Sequence, residues 1–135
     1  VRFVDTNVLL YAVSSEAEER RKADLANDIL ASRDLALSVQ VLQEFYVQAT
    51  RASRPDPLSH RQAAELVESF LRFPVQAVSV DVMRAAVAAR DRFDISYWDA
   101  AILEAARALG CAVVLSEDLN DGQDYAGVRV ENPFR

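Results

Sequence analysis

The sequence is poor in the residues that carry the commonest catalytic signatures. It holds one cysteine, one histidine and one lysine among 135 residues. A lone cysteine, Cys111, excludes an internal disulfide and so a disulfide-stapled scaffold. It fits a reducing compartment, and a cytoplasmic location is expected. Cys111 opens the apolar run Cys111-Ala112-Val113-Val114-Leu115, which predicts a buried structural thiol. The only histidine, His60, sits beside Arg61 after a proline-rich loop and is expected on the surface. A Ser-His-Asp triad would have to use it, and no nucleophile-elbow glycine pattern flanks any serine. Three glycines, at positions 110, 122 and 127, cannot build a phosphate-cradling loop. Together with four prolines they are too few for a long disordered or collagen-like segment. No hydrophobic run is long enough to span a bilayer. Asp5 breaks the first apolar stretch, which does not read as a signal peptide. Basic residues are scarce as well. Lys+Arg is 15 against 21 Asp+Glu, a net charge of −6, so wrapping duplex DNA by charge alone is excluded.

What is present is apolar and periodic. Hydrophobic residues make up 51% of the chain, enough for one core, and the length suits a single domain over residues 1–135. Val1 to Val4 reads as a strand running into Asp5-Thr6-Asn7, which are turn and cap residues. Val8 to Tyr11 opens a short helix. Glu16 to about Arg33 reads as a helix with Leu25, Ala26, Ile29 and Leu30 on its apolar stripe and three Glu in its first turn. Leu35 to Ser38 is a second strand, followed by a helix from Val39 to about Ala52. Arg51 to Leu58, with Pro55 and Pro57, is a loop. Ser59 caps a helix that Pro74 terminates. A third strand lies within Val75 to Val80, Asp81 caps a helix reaching about Arg92, and another runs from Ser96 or Tyr97 to Gly110. Ala112 to Leu115 is a central strand, Ser116 to Gly127 is polar and turn-rich, and Val128 to Val130 is a last strand. Such alternation predicts a three-layer α/β/α sandwich around a mainly parallel sheet of four or five strands.

Open parallel sheets bind ligands beyond the carboxyl ends of their strands. Asp5 follows the first strand and Asp118 the fourth, with Ser116 and Glu117 beside it. Glu44 lies early in the helix after the second strand, and Asp99 lies in a first helical turn. Although far apart in the chain, all four fall on one topological edge. Each alone also reads as a cap, a turn residue or a solvated acid. Clustered carboxylates repel one another, and divalent cations relieve that repulsion. Hard oxygen donors select Mg²⁺ or Mn²⁺ over Zn²⁺. An acidic pocket of this kind with one or two ions suits phosphodiester hydrolysis. Arg51, Arg54 and Arg61 bracket the loop after the Glu44 helix and are weak candidates for backbone phosphates.

Four blocks then resemble the PIN-domain ribonucleases: Val4-Asp5-Thr6-Asn7-Val8-Leu9-Leu10-Tyr11, Ser38 to Phe45, Tyr97-Trp98-Asp99-Ala100-Ala101-Ile102, and Val114-Leu115-Ser116-Glu117-Asp118-Leu119. They occur in order across essentially the whole chain. The small size resembles most the VapC-like toxin branch of toxin–antitoxin pairs. This resemblance implies a Mg²⁺- or Mn²⁺-dependent endoribonuclease with Asp5, Glu44, Asp99 and Asp118 as ligands. It implies Thr6, Asn7 and Ser116 as supporting groups, a homodimer and an antitoxin partner. The last block departs from the family's Thr-x-Asp-aromatic pattern, which makes Asp121 a rival to Asp118. Glu117 and Glu104 are expected to point away from the site. Phe45, Tyr46, Phe70, Phe73, Tyr97 and Trp98 are candidates to stack on RNA bases, but at helical spacing they are expected more often in the core or a dimer contact. Leu66, Phe70 and Phe73 with the Val39–Val47 helix are expected to form the dimer surface. The rival readings are another metal-dependent phosphohydrolase (a phosphatase or DNA nuclease on the same carboxylates) and a catalytically inactive PIN-like binding module.

Overall fold

A computed structural model describes all residues, 1–135. The chain runs β1 (Arg2–Val4), α1 (Thr6–Ala12), a 3₁₀ turn (Ala17–Glu19), α2 (Arg20–Leu30), β2 (Leu35–Ser38), α3 (Val39–Ala49), α4 (His60–Phe70), β3 (Val75–Gln76), α5 (Val80–Phe93), α6 (Tyr97–Ala108), β4 (Val113–Leu115), β5 (Asp124–Tyr125) and β6 (Val128–Glu131). The sheet order is β3-β2-β1-β4-β6-β5. Every pairing is parallel except β5 with β6. Successive strand residues face opposite sides of a sheet. Phe3 and Val4 are both fully buried, and all four residues of β2 are buried. Helices therefore cover both faces, as the alternating pattern requires.

The order reverses at β1. From there the chain builds outward through β2 and β3, then returns to the other side with β4. The crevice at such a reversal is where this architecture binds ligands. Register aligns the strand ends: Phe3 pairs with Ala36 on one side and Val114 on the other. The backbone beyond β1, β2 and β4 thus emerges on one edge. Asp5 caps α1 directly after β1, and Ser38 caps α3 at the end of β2.

The sheet has six strands, one more than the upper expectation. The addition, β5, is two residues long and hides in the polar stretch. It pairs with β6 across a two-residue turn, Ala126 and Gly127, both at positive φ, the geometry a tight hairpin needs. Other boundaries shift. Glu18 and Glu19 fall in the 3₁₀ turn, so α2 starts only at Arg20. Ser79, not Asp81, caps α5, its hydroxyl accepting from the Val82 amide at 3.1 Å. Gly110, at φ +75°, ends α6 as expected. Cys111 is buried.

The core joins Phe45, Phe70 and Phe73 to the sheet, with Phe45 edge-on to Phe70 at 5.3 Å. Phe70 and Phe73 are therefore unavailable to the dimer surface expected of them; their rings fill the gap between α3, α4 and β2. A second, small cluster sets Ala86 and Ala89 of α5 against Ala100 and Ala101 of α6. Small side chains let these helices approach closely and fix the start of α6. Of the six aromatic candidates, Trp98 lies outside the core, at 65% exposed. No helix is long and apolar enough to cross a membrane.

Candidate active site

Asp5 is the anchor of the site. As the α1 cap it is held by its own helix, its Oδ1 accepting from the Thr6 amide at 2.7 Å. Its Oδ2 accepts from the Ser116 hydroxyl at 2.7 Å and the Asn7 amide at 3.4 Å. Ser116 is fully buried at the end of β4. The β1–β4 pairing continues through Asp5 N donating to Leu115 O at 3.0 Å, which fixes the two strand ends together. Asn7 extends the network. Its Nδ2 reaches Ser116 Oγ at 3.1 Å and Asp118 Oδ2 at 3.2 Å, and its Oδ1 accepts from Glu117 N at 3.2 Å. Asp118 N in turn donates to Ser116 Oγ at 3.1 Å. Asp5 and Asn7, at the start of α1 just after β1, thus organise the loop after β4.

Glu44 arrives from α3. Its Oε1 accepts from Thr6 Oγ1 and Gln40 Nε2, each at 3.3 Å. Asp99 arrives from the first turn of α6, whose start is fixed by Ser96 Oγ accepting from Asp99 N at 3.1 Å. Asp5, Glu44, Asp99 and Asp118 all line one cavity of about 160 Å³, with Thr6 and Asn7 on its wall. No arginine, lysine or histidine lines it. Every donor to Asp5 is neutral.

The electrostatic consequence falls on Asp5. Burial, reinforced by the charges of Asp118 and Glu44, outweighs the bonds from Ser116 and Thr6 and raises its pKa to about 6. The donor set is hard oxygen throughout and lacks a counter-charge, so in kind it fits Mg²⁺ or Mn²⁺. As they stand, no three acidic side chains are close enough to hold one ion. Glu44 and Asp118 instead take hydrogen bonds from Thr6, Gln40 and Asn7.

The remaining candidates are spread more widely. Asp121 does not reach the cavity. It accepts from Asn132 N at 2.7 Å and from the Arg135 guanidinium, and so ties down the C-terminus. Leu119 and Asn120 separate it in the chain from Asp118 of the Asn7 network. Arg51 lines a cavity next to the acidic one. Arg54 donates to Leu10 O at 3.4 Å beside Asn7 and Tyr11. Arg61 pairs with Glu65 at 3.2 Å, nine-tenths exposed, on the far part of α4. Glu104 turns to Arg107 at 3.0 Å. His60 is exposed and bonds Tyr46 Oη at 2.8 Å.

Glu117, at a bend just after β4, turns away from the acidic cavity. It meets Lys22 Nζ at 2.8 Å and the Tyr11 hydroxyl. Burial alone would raise its carboxyl. The Lys22 and Tyr11 bonds and the Lys22 charge outweigh that and hold it below the usual range. Phe134 closes this corner, edge-on to Tyr11 at 4.9 Å.

Gln40 and Gln48 also line the acidic cavity and were not among the expected residues; Trp98, which lines it too, was named only among the aromatic candidates. The glutamines sit one helical turn either side of Glu44, so their shared face is readable from spacing. Trp98 precedes Asp99 directly, but its exposure is a tertiary fact.

Among curated proteins, none matches this chain. Solved structures do. A toxin–antitoxin complex from Klebsiella pneumoniae is similar at TM-score 0.71 and 21% identity, covering 98% of both chains. The Mycobacterium tuberculosis toxin VapC20, described as cleaving the sarcin-ricin loop, is similar at TM-score 0.68 and 23% identity, covering 87% of this chain and 92% of that one. DNA-bound VapBC from Salmonella typhimurium is similar at TM-score 0.67 and 20% identity, covering 98% and 97%. These likenesses speak to fold. The sequence itself speaks to family, since the model described as PIN domain matches residues 2–124; this chain belongs to the PIN domain family.

Proposed function

We propose that this chain is a Mg²⁺- or Mn²⁺-dependent endoribonuclease and the toxin half of a toxin–antitoxin pair. The observation that supports this most is the convergence of Asp5, Glu44, Asp99 and Asp118, from four separate elements, on one cavity that no basic residue lines. Those four carboxylates would hold one or two divalent ions. A bound ion would activate water as the nucleophile and offset charge on the phosphate.

The chain's own contributions follow from its geometry. Asp5 is rigid, fixed by Thr6, Asn7 and Ser116, and supplies a buried point of negative charge. Glu44 and Asp99 are half-buried and Asp118 is exposed, so their side chains are free to turn toward a ligand. Thr6 and Gln40 hold Glu44 at the rim. Asn7 holds both Asp118 and the backbone of the Glu117 peptide. Removing Asn7 would loosen four groups at once, Asp5, Ser116, Asp118 and the Glu117 peptide.

The antitoxin partner rests on the resemblance to chains whose solved structures are toxin–antitoxin complexes. A homodimer is proposed on the family resemblance, and sedimentation at micromolar concentration tests it. The test of the activity is cleavage of RNA, single-stranded DNA and a phosphomonoester side by side, in Mn²⁺ and in EDTA. The expected result is RNA cleavage in Mn²⁺ alone, lost in Asp99→Asn. Preference for either other substrate would move the chain to a different phosphohydrolase class. Inactivity on all three with Mg²⁺ and with Mn²⁺ would favour a binding module.

A further inference from the structure

Trp98 is the only tryptophan in the chain and 65% exposed. It stands at the meeting point of three cavities. One is the acidic pocket. The second, of about 300 Å³, has an apolar floor that includes Tyr97, Val82 and Ala101 and a rim that carries the amides of Gln43 and Gln76. The third, of about 360 Å³, contains Arg51 and Gln48. Gln40 lines all three. Its Nε2 lies 3.4 Å from Trp98 O and 3.3 Å from Glu44 Oε1. The Tyr97 ring stands edge-on to the indole at 5.0 Å, which orients it.

The charge balance restricts how RNA can be held here. The chain carries −6, and the pocket proposed for the scissile phosphate is lined by four acids and no base. Counterion release from phosphates, the usual source of nucleic-acid affinity, needs basic residues. Near this pocket only Arg51 and Arg54 offer that, each in a neighbouring cavity. Contacts to bases must supply the rest. A planar base needs a flat apolar face to stack on and amides or hydroxyls to meet its edge. The cavity beside Trp98 offers both, one residue from Asp99.

We propose that Trp98 is the stacking platform of a nucleobase subsite next to the scissile phosphate, with the Gln43 and Gln76 amides meeting the base edge and Arg51 taking a flanking phosphate across the acidic pocket. This deepens the ribonuclease reading and rests on it. The continuity of the three cavities through Gln40 and Trp98 favours a nucleic acid strand over a protein segment. The latter would also account for the exposed Val78 and Val80 nearby, but it would leave the amide rim and Arg51 unused.

The experiment has three arms on the full chain. First, cleavage of a mixed-sequence single-stranded RNA is measured for wild type, Trp98→Ala and Trp98→Phe. Losing one stacked base should raise KM about tenfold, with kcat changed far less, and Trp98→Phe should recover most of the loss. Second, fluorescence of the sole tryptophan is followed in the silenced Asp5→Asn variant. The RNA should quench it, whereas an abasic strand of equal length should not. The salt dependence of that binding should be shallow, a log–log slope of about −0.7 for one neutralised phosphate. Third, sedimentation compares wild type with Trp98→Ala. Cleavage with unchanged KM and no quench would remove the subsite and keep the ribonuclease. Quenching by RNA in a chain that cleaves nothing would keep the subsite and remove the ribonuclease. Loss of a wild-type dimer in Trp98→Ala, without an RNA-induced quench, would reassign this face to a second copy of the chain and overturn the proposal.

Discussion

Glu117 and Asp118 are consecutive in the chain and belong to opposite regimes. Glu117 meets a lysine and a tyrosine hydroxyl, and its carboxyl is held below the usual range. Asp118 faces Asp5, Glu44 and Asp99 across a cavity with no cation, and Asp5 at its centre is raised to about 6. One acid is satisfied by the fold. Asp5, across the cavity from Asp118, is left expensive by it. An acid paired inside the protein fixes geometry, whereas uncompensated buried acids store a cost that only an outside cation can relieve. The short loop after β4 serves both purposes by sending Glu117 to Lys22 and Asp118 to Asn7 at the cavity.

The largest expected effect separates these regions by activity. Asp5→Asn or Asp99→Asn should lower RNA cleavage by more than about 100-fold, since even outer-shell groups around a metal commonly cost 10- to 100-fold. Glu117→Gln should cost no more than about tenfold. Initial rates in Mn²⁺ check both, and equal losses in all three would erase the distinction.

Stability against pH should show the same contrast with opposite signs. Asp5 has a folded pKa of about 6 against an ordinary 3.8. The folded state therefore binds the proton more tightly, and metal-free stability falls as pH rises from about 4 to about 6. The full cost above that range is about 3 kcal/mol. Urea denaturation in EDTA at pH 7.5 should find Asp5→Asn more stable than wild type by up to that amount. Glu117 works in reverse. Its lowered carboxyl stabilises the fold above its ordinary 4.5, and that contribution is lost on acidification.

A smaller effect tests the paired corner alone. Lys22→Met should lower stability by about 1 kcal/mol at neutral pH, because Lys22 and Glu117 remain partly solvated. Lys22→Arg should recover part of it. Smallest is Arg61→Ala. Its pair with Glu65 is exposed, so stability should change by less than about 0.5 kcal/mol and cleavage not at all.

Much of this arrangement was legible in the sequence because it is written in local chemistry. Asp5 after a β-branched strand, Ser96 three residues before Asp99, and Ser116 after an apolar run are caps and strand ends by type. Once the alternation indicates a parallel sheet, those ends must share an edge. What stayed hidden depends on tertiary packing. Strand β5 is too short to carry a periodic signal, and it exists because β6 is there to pair with it. Phe70 and Phe73 share their helical spacing with many interface residues, and only the position of α4 against α3 places them inside. Asp121 has the composition of a ligand, yet the chain's last residues claim it. The exposure of Trp98 follows from how α5 packs on α6 through alanines, which spacing alone does not reveal.

The most direct measurement is the melting temperature of the metal-free protein titrated with Mn²⁺ at pH 7.5, for wild type, Asp5→Asn and Glu117→Gln. Binding to the folded state alone stabilises it by about 2.7 kcal/mol at a hundredfold excess over Kd. Wild type and Glu117→Gln should both melt higher as Mn²⁺ rises, and Asp5→Asn should start higher and stay flat. A wild-type melting temperature that does not move at millimolar Mn²⁺ would contradict the account.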